Sequence, residues 1–579
     1  MTTTSGAAPR LHRPASGLGT LLDFAAKSHF RAAVFLVAIS FIAFLPGFFQ
    51  IPPVDRDEAY FAQATKQMIE TGDYVDIRYQ DDVRYRKPVG IYWLQAAAVK
   101  TAEALKLRGA RTTIGLYRVP SLLGAIGAVL ATYWCALSFV GRRGAVLAAL
   151  MMAGSVLLNV EARLAKTDAV LLFTVVAAMG VLARAYLLLR KADEGAAPGA
   201  MGLSWYLPAI FWTALAAGIL DKGPLILMFV GLTALALSVI ERSARWLGVL
   251  RPLPGIVWLF VLVLPWFVAI YLRNGNAFLV DSVGHDMLSK VSGGQESHWA
   301  PPGSYVLLFF VTFFPASALA LPAAPAIWIA RRESAACFLL AWLIPSWIVF
   351  ELVPTKLPHY VLPLYPAIAI LIASVIEGNV LSRRPSLTRA TIWWFVVPIV
   401  FSVVGVAAAV VIDRNLRLAA WPFFAAAIVC GLFAWRLYED DGAEHSLMRA
   451  MGVGILTAIG MSGIILPSLT PAFPSVALAK ILRDASCPFP AAASSGYEEP
   501  SLVFLAGTAT RLIDPAGAAD FLLGGGCRFA FIEGHVERTF ALRAEAIGLR
   551  YKAGPRIEGY NISNARKITI AVFRPADAP

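Results

Sequence analysis

Residues 391–412 read TIWWFVVPIVFSVVGVAAAVVI, 22 positions without an Asp, Glu, Lys or Arg. An α-helix rises about 1.5 Å per residue, so such a run can cross the roughly 30 Å of hydrocarbon in a bilayer. Similar runs recur on both sides of it. Upstream they lie near 32–50, 119–140, 145–160, 169–189, 205–221, 223–240, 255–272, 305–330, 334–353 and 358–378; downstream they lie near 418–436 and 450–468. Composition points the same way: 58% of the 579 residues are hydrophobic and 15% are charged, against about 25% charged in soluble domains. The sequence therefore predicts an all-α polytopic membrane protein with about 13 transmembrane helices. No small-residue cleavage pattern follows Gly47-Phe48-Phe49-Gln50 at the end of the first run, so that run is expected to remain a span.

The formal net charge of +13 comes from basic residues that punctuate the ends of apolar runs rather than forming one patch. That excludes a nucleic-acid surface and instead sets topology. Arg10, Arg13, Lys27 and Arg31, then Arg142 and Arg143, Arg190 and Lys191, Arg242, Arg245 and Arg251 mark one set of loops. Arg331 and Arg332, Arg383, Arg384 and Arg389, and Arg436 with Arg449 continue it, alternating with the other set. The N-terminus is thus expected in the cytoplasm, and an odd span count puts the C-terminus outside. Three parts follow: a cytoplasmic tail 1–31, disordered over 1–28; a transmembrane domain 32–468; and a soluble periplasmic domain 469–579. In the last, 501–506 and 567–573 read as strands and 538–549 as a helix between them. Cys135, Cys337 and Cys430 lie in apolar runs as small hydrophobes. Cys487 and Cys527 lie in the outer segment, where a disulfide between them is permitted by the compartment.

The outer loops carry acids and bases beside Pro and Gly. The loop 51–118 holds Asp55-Arg56-Asp57-Glu58 and Arg86-Lys87-Pro88, with helical spacing over 58–70 and 89–105 that suits short helices on the membrane interface. Asp57 and Glu58 are either solvated charges at a helix start or carboxylates held over a membrane cleft, one of them a general base. Asp168 opens an apolar run and can share their face of the membrane. It is either a second acid of the site or, with Arg163 and Lys166, a structural ion pair. Lys87, Arg163, Lys222 and Lys356 all place positive charge where the topology rule does not call for it, and an anionic phosphate headgroup would account for the set. His285, Glu296, His298 and His359 are candidate metal ligands, although sequence alone cannot bring them together.

Asp57-Glu58-Ala59-Tyr60-Phe61-Ala62, Gly72-Asp73-Tyr74-Val75, Lys87-Pro88 with Tyr92-Trp93, Arg163-Leu164-Ala165-Lys166-Thr167-Asp168, Lys222-Gly223-Pro224, Leu264-Pro265-Trp266 and Lys356-Leu357-Pro358-His359-Tyr360 follow one another on these loops. In that order the chain resembles bacterial membrane glycosyltransferases of the GT-C fold, in the lipid A aminoarabinose transferase-like branch related to protein O-mannosyltransferases. The resemblance implies an inverting enzyme of the bacterial inner membrane that takes a monosaccharide from a polyprenyl-phosphate donor on the periplasmic side. Lipid A, lipopolysaccharide or another envelope glycolipid would be the acceptor. It further implies Asp57 as catalytic base, with Asp168 and Glu58 as further acids. Lys87, Arg86, Arg163, Lys222, Lys356 and Tyr60 would be donor-phosphate contacts.

Relatives carry Glu before the Lys-Pro pair, where it can ligate a metal. Arg86 stands there in this chain, which argues against the same metal site and offers an extra phosphate contact instead, while His298 resembles the other ligand position. A protein acceptor is the alternative within the fold. A transporter is the alternative outside it, disfavoured because the charges sit at span ends rather than at the midplane and no halves repeat.

Overall fold

Each of the thirteen apolar runs becomes helical, though not always in one piece. A computed structural model describes residues 17–193, 204–282, 284 and 299–576. Among them, eight helices are long and apolar enough to cross a membrane, and a ninth span arises if one bent pair is counted as a single span. The elements up to the middle of the chain are α1 (Gly17–Ala26), α2 (His29–Phe44), α3 (Asp57–Thr71), α4 (Gly90–Ala104), α5 (Ile114–Ala136) and α6 (Arg142–Gly154). They continue with α7 (Val156–Glu161), α8 (Asp168–Asp193), α9 (Tyr206–Lys222), α10 (Leu225–Ile240) and α11 (Pro252–Asn274).

Three expectations need correction. The tail expected to be disordered over 1–28 is helical from Gly17. Leu22 and Ala25 sit three apart on one face and are buried, α1 packs on α2 and α6, and Arg143 pairs with Asp23; residues 1–16 lie outside the described residues. The run 305–330 is two helices, Ser304–Thr312 and Ala316–Arg332, bent by 115°. Pro315 stands at the break, where it has no N–H to continue the helical ladder and its ring crowds the preceding turn. Residues 501–506 form the helix Pro500–Ala506 rather than a strand. A short apolar run reads alike as strand or buried helix, and Pro500 at the first helical position favours the latter.

The centre of the bundle is α5 against α8. A Cβ at Gly124 would come within 2.9 Å of the Val170 amide nitrogen and 3.0 Å of the Ala169 carbonyl, so the absence of a side chain lets the start of α8 lie on α5. Gly90 does the same for α4, where a Cβ would meet the backbone of Leu220 at 2.7 Å and of Asp221 at 2.9 Å. Those two approaches bring the first residue of α8, Asp168, and the last of α9, Lys222, to the same end of the bundle as α3 and α4. At the periphery, α11 turns much of its surface outward, with Leu253, Val257, Val261 and Leu272 all exposed, as a lipid-facing helix must.

Between α3 and α4 runs a small hairpin, β1 (Arg78–Tyr79) with β2 (Asp82–Val83). The C-terminal part is an α/β unit. Its strands are β3 (Ala491–Ser495), β4 (Arg511–Leu512), β5 (Arg528–Glu533), β6 (Tyr551–Asn561) and β7 (Arg566–Pro575), in the spatial order β4-β3-β5-β7-β6. β3 is parallel to both neighbours and β7 antiparallel to both of its own. Helices Pro515–Leu523 and Glu537–Ala546 accompany the sheet. Cys487 and Cys527 are disulfide-bonded with their Cα atoms 5.7 Å apart.

This unit is tied to α3 and the turn before it. Lys66 Nζ donates to the Phe504 carbonyl (2.9 Å), Gln63 Nε2 to Thr508 Oγ1 (2.8 Å) and Thr508 Oγ1 to Glu70 Oε2 (2.6 Å). The Ser501 amide donates to Asp55 Oδ1 at 3.0 Å. Burial pushes the Asp55 carboxyl up to about 7, helped by the neighbouring Glu499 and opposed by the hydrogen bonds from Ser501. Because this lies above the ordinary value of 3.8, the stability gained from proton uptake is full below about pH 4 and is lost as pH rises through about 7. Hydrogen exchange of residues 500–510 is therefore expected to quicken, relative to its intrinsic rate, between pH 5 and 8. Asp55→Asn should flatten that dependence, and an unchanged profile in the variant would contradict the assignment.

Candidate functional site

The chain turns from α2 into α3 through a residue with φ 72°, Arg56, and the helix then begins at Asp57. The first two helical residues part company at once: Asp57 is exposed, and Glu58 is 2% exposed. Arg118, on α5 and fully buried, donates from Nε to Glu58 Oε1 at 2.7 Å and from Nη2 to Oε2 at 2.9 Å. The Val54 and Ala165 amides donate to the same two oxygens, each at 2.9 Å. The remaining Arg118 protons go to the carbonyls of Phe48 (2.7 Å), Ile51 (2.8 Å) and Pro52 (3.0 Å). Glu58, expected as a further catalytic acid beside Asp57 and Asp168, is therefore a structural anchor. Both of its oxygens are saturated with donors, and the side chain is almost wholly shut off from solvent. In that position it ties the end of α2, the start of α3, α5 and the loop before Asp168 together.

Asp168 opens α8 and stands in a cluster of charges. Lys222 Nζ bonds its Oδ1, Lys166 Nζ lies 3.6 Å from its Oδ2 and 3.6 Å from Glu161 Oε2, and the ring nitrogens of His359 lie 3.7 Å from Asp168 Oδ1 and from Glu161 Oε1. Burial works against the charge on Lys166, but Glu161, Asp168 and Asp57 outweigh it and hold its ammonium above the usual lysine range. Lys166 is thus the electrostatic link between Asp57 and the buried cluster. Glu161, Asp168 and His359 offer one ligand atom each within 4.8 Å of one another, a donor set that could hold a divalent cation. Lys222 and Lys166 already supply positive charge to the same carboxylates, so the cluster is neutralised by its own side chains. His285, Glu296 and His298 lie outside the described residues.

The outer bases separate by role. Arg163, expected at the donor phosphate, is 4% exposed and turns its guanidinium onto the carbonyls of Pro46 (2.7 Å), Asn159 and Ala43. Lys356, also expected there, donates to the carbonyls of Val353 (2.7 Å), Glu351 (2.9 Å) and Phe350 (3.3 Å) and so closes the C-terminal end of helix Ser334–Leu352. Each gives protons to backbone carbonyls at helix ends, where the helical ladder leaves oxygens without an intrahelical donor. Lys222 belongs to the Asp168 cluster. Arg86 is exposed and Lys87 half-buried, with Lys87 Nζ 3.0 Å from the Arg86 carbonyl.

Glu161, Arg118 and Arg84 of the site were not singled out by sequence reasoning. Arg118 carried a signal in retrospect, as a charge among the apolar residues that open α5. Arg84 carried none beyond standing two residues before Arg86. Its guanidinium is stacked 4.3 Å over Tyr60 and 5.5 Å from Phe61, and Tyr60 meets Tyr79 edge to face at 4.8 Å. Tyr60 and Phe61 are three and four residues after Asp57, hence on its face of α3. Arg84 and Asp57 both act electrostatically on the buried Tyr92 hydroxyl.

No family model matches the chain. Over 348 residues it is 27% identical to the undecaprenyl phosphate-alpha-4-amino-4-deoxy-L-arabinose arabinosyl transferase of Pectobacterium carotovorum, covering 58% of this chain and 57% of that one. The protein of the same name from Pseudomonas aeruginosa is 27% identical over 350 residues, 58% of each chain. The match thus spans less than two thirds of the length of these curated relatives. Among solved structures, ArnT from Cupriavidus metallidurans superposes with a TM-score of 0.71 at 18% identity, over 93% of this chain and 97% of that one. Its complex with undecaprenyl phosphate superposes equally well. The two proteins share a fold, the GT-C fold.

Removing one side of the Glu58–Arg118 pair leaves the other charge buried and uncompensated. Arg118→Met and Glu58→Gln are each expected to destabilise the fold by about 3–5 kcal/mol. Thermal unfolding in detergent would register this as a clear fall in Tm, and a wild-type Tm in either variant would refute the anchor.

Proposed function

We propose that this GT-C membrane protein is a glycosyltransferase, moving a monosaccharide from a polyprenyl-phosphate donor to lipid A or another envelope glycolipid with inversion at the anomeric carbon. The observation that carries the reading is the contrast among four carboxylates. Glu58, Glu161 and Asp168 are buried and paired, whereas Asp57 is exposed at a helix start whose position the Glu58–Arg118 anchor defines. A general base needs an accessible lone pair held in a fixed place, and of the four Asp57 alone combines the two.

In this reading the acceptor hydroxyl gives its proton to Asp57 as its oxygen attacks the anomeric carbon. The bond from that carbon to the phosphate oxygen breaks on the opposite face. The charge that develops on the phosphate is met by Lys87 and Arg86, with Tyr60 as a further contact. Asp168, held by Lys222, shapes the far side of the cleft, and Lys166 carries its field to Asp57. The polyprenyl chain of the donor stays in the bilayer. The named activity of the Pectobacterium and Pseudomonas relatives and the undecaprenyl phosphate bound to the Cupriavidus protein support the donor class. The protein would lie in the bacterial inner membrane with its N-terminus cytoplasmic. The C-terminal α/β unit would be periplasmic, on the face where α3 and the acidic cluster meet.

Purified protein given labelled polyprenyl-phosphate sugar and membrane extract should transfer label to lipid. Asp57→Asn should lower the rate by about 10²–10⁴-fold with donor binding kept. Full activity in that variant would remove Asp57 from the chemistry, and solute uptake without any glycosylated product would overturn the enzyme class.

A further inference from the structure

A second accumulation of charge lies at the other end of α2 from Asp57, the 16-residue helix separating the two by about 24 Å. α1 and α2 are joined by the turn Lys27–Ser28, and Lys27, Arg31 and Arg142 are all exposed around it. Arg142 Nη1 donates to the Lys27 carbonyl at 2.7 Å, and the Arg31 guanidinium lies 4.8 Å over the Phe24 ring. Phe24 and Lys27 in turn line an open cleft of about 540 Å³ with Thr20, Asp23 and Ala26.

The chain does not offset these three charges. Asp23, the only acid of α1, is already paired with Arg143, and among the described residues no carboxylate pairs with Lys27, Arg31 or Arg142. Arg31 and Arg142 stand in the first turns of α2 and α6, where the helix end is itself positive, and neither turn contains an acid. Residues 1–16 include Arg10 and Arg13 and no Asp or Glu, so the start of the chain would add to the charge rather than meet it.

Apolar groups are exposed beside the cations. Leu21, Phe24 and Phe30 are 49%, 50% and 76% exposed, whereas Leu22 and Ala25 on the neighbouring face of α1 are buried in the bundle. The exposed strip continues down α2 through Val34 and Phe41, four and eleven residues after Phe30 and hence on one helix face. A short helix with apolar side chains turned outward and cations at its end is the pattern of a segment lying in the headgroup layer of a membrane. An acidic peptide or a nucleotide would meet the cations, but it has no use for a strip that leads on into hydrocarbon.

We infer that this turn is a binding site for an acidic phospholipid. Lys27, Arg31 and Arg142 hold a headgroup whose phosphate charge is not offset by an amine of its own, and an acyl chain lies along Phe30, Val34 and Phe41. The site is separate from the proposed transfer chemistry and stands or falls without it.

The test titrates full-length protein in a non-ionic detergent with three probes and counts bound lipid by native mass spectrometry. The probes are phosphatidylglycerol, phosphatidylcholine with the same acyl chains, and glycerol phosphate, which has the charge without the chains. Wild type should hold phosphatidylglycerol on the order of 10²-fold more tightly than phosphatidylcholine, at about fivefold for each cation. The double variant Lys27→Gln, Arg31→Gln should lose about 30-fold in phosphatidylglycerol affinity and keep its affinity for phosphatidylcholine. Arg31→Gln alone should lose about fivefold, which keeps the inference testable should the double variant misfold. Leu21→Ser with Phe24→Ser should weaken both lipids alike. Phosphatidylglycerol affinity equal in wild type and the charge variants would overturn the inference. Glycerol phosphate bound as tightly as phosphatidylglycerol would overturn it too, by making the turn a site for a soluble phosphate.

Discussion

One buried ion pair organises the outer end of this molecule. Arg118 and Glu58 are both removed from water, which is unfavourable for each alone, and the pair persists because every proton and every lone pair on it is used. Its partners come from four stretches of chain: the turn after α2, the first turn of α3, the start of α5 and the loop ahead of α8. A hydrophobic contact of the same size would bury them as well, but it is non-directional. Hydrogen bonds at 2.7–3.0 Å set distance and angle, so Asp57 and Asp168 inherit their relation from a neighbour that does no chemistry.

The outer-face bases illustrate how one sequence signal covers several physical needs. Helices that end in a bilayer leave carbonyls without water, and a long cation can reach them. Arg163 and Lys356 are used in this way, and no phosphate is needed to account for them. Lys222 and Lys166 balance buried acids. Arg84, Arg86 and Lys87 stand in one short run that follows the β1–β2 hairpin and packs Arg84 on α3. Neutralisation by lysines also bears on the Glu161–Asp168–His359 group. Its geometry suits a cation, yet the two ammonium groups already meet its charge.

The C-terminal α/β unit is joined to the chemistry more closely than a separate domain would need to be. Lys66, Gln63 and Glu70 lie on the same helix that begins with Asp57, and all three are engaged by residues 504–508. Asp55, two residues before Asp57, is engaged by Ser501. Any movement of that unit is thereby felt by α3.

What the sequence by itself determined is whatever each segment decides with its own solvent. Apolar runs such as 391–412 partition into hydrocarbon wherever they stand, so the membrane class and the positions of the helices were legible, as were α3 and α4 from their helical spacing. Local reading failed where a short run suits two backbones, as in Pro500–Ala506, or where packing rescues an unremarkable stretch, as in Gly17–Ala26. The roles of the charged residues were decided only by tertiary structure. Glu58 and Asp57 are adjacent and chemically alike, and what separates them is Arg118, 60 residues on, and the Ala165 amide, 107 residues on. Burial and pairing are properties of contacts between distant segments, and a carboxylate becomes an anchor or an accessible base according to which donors the fold brings to it.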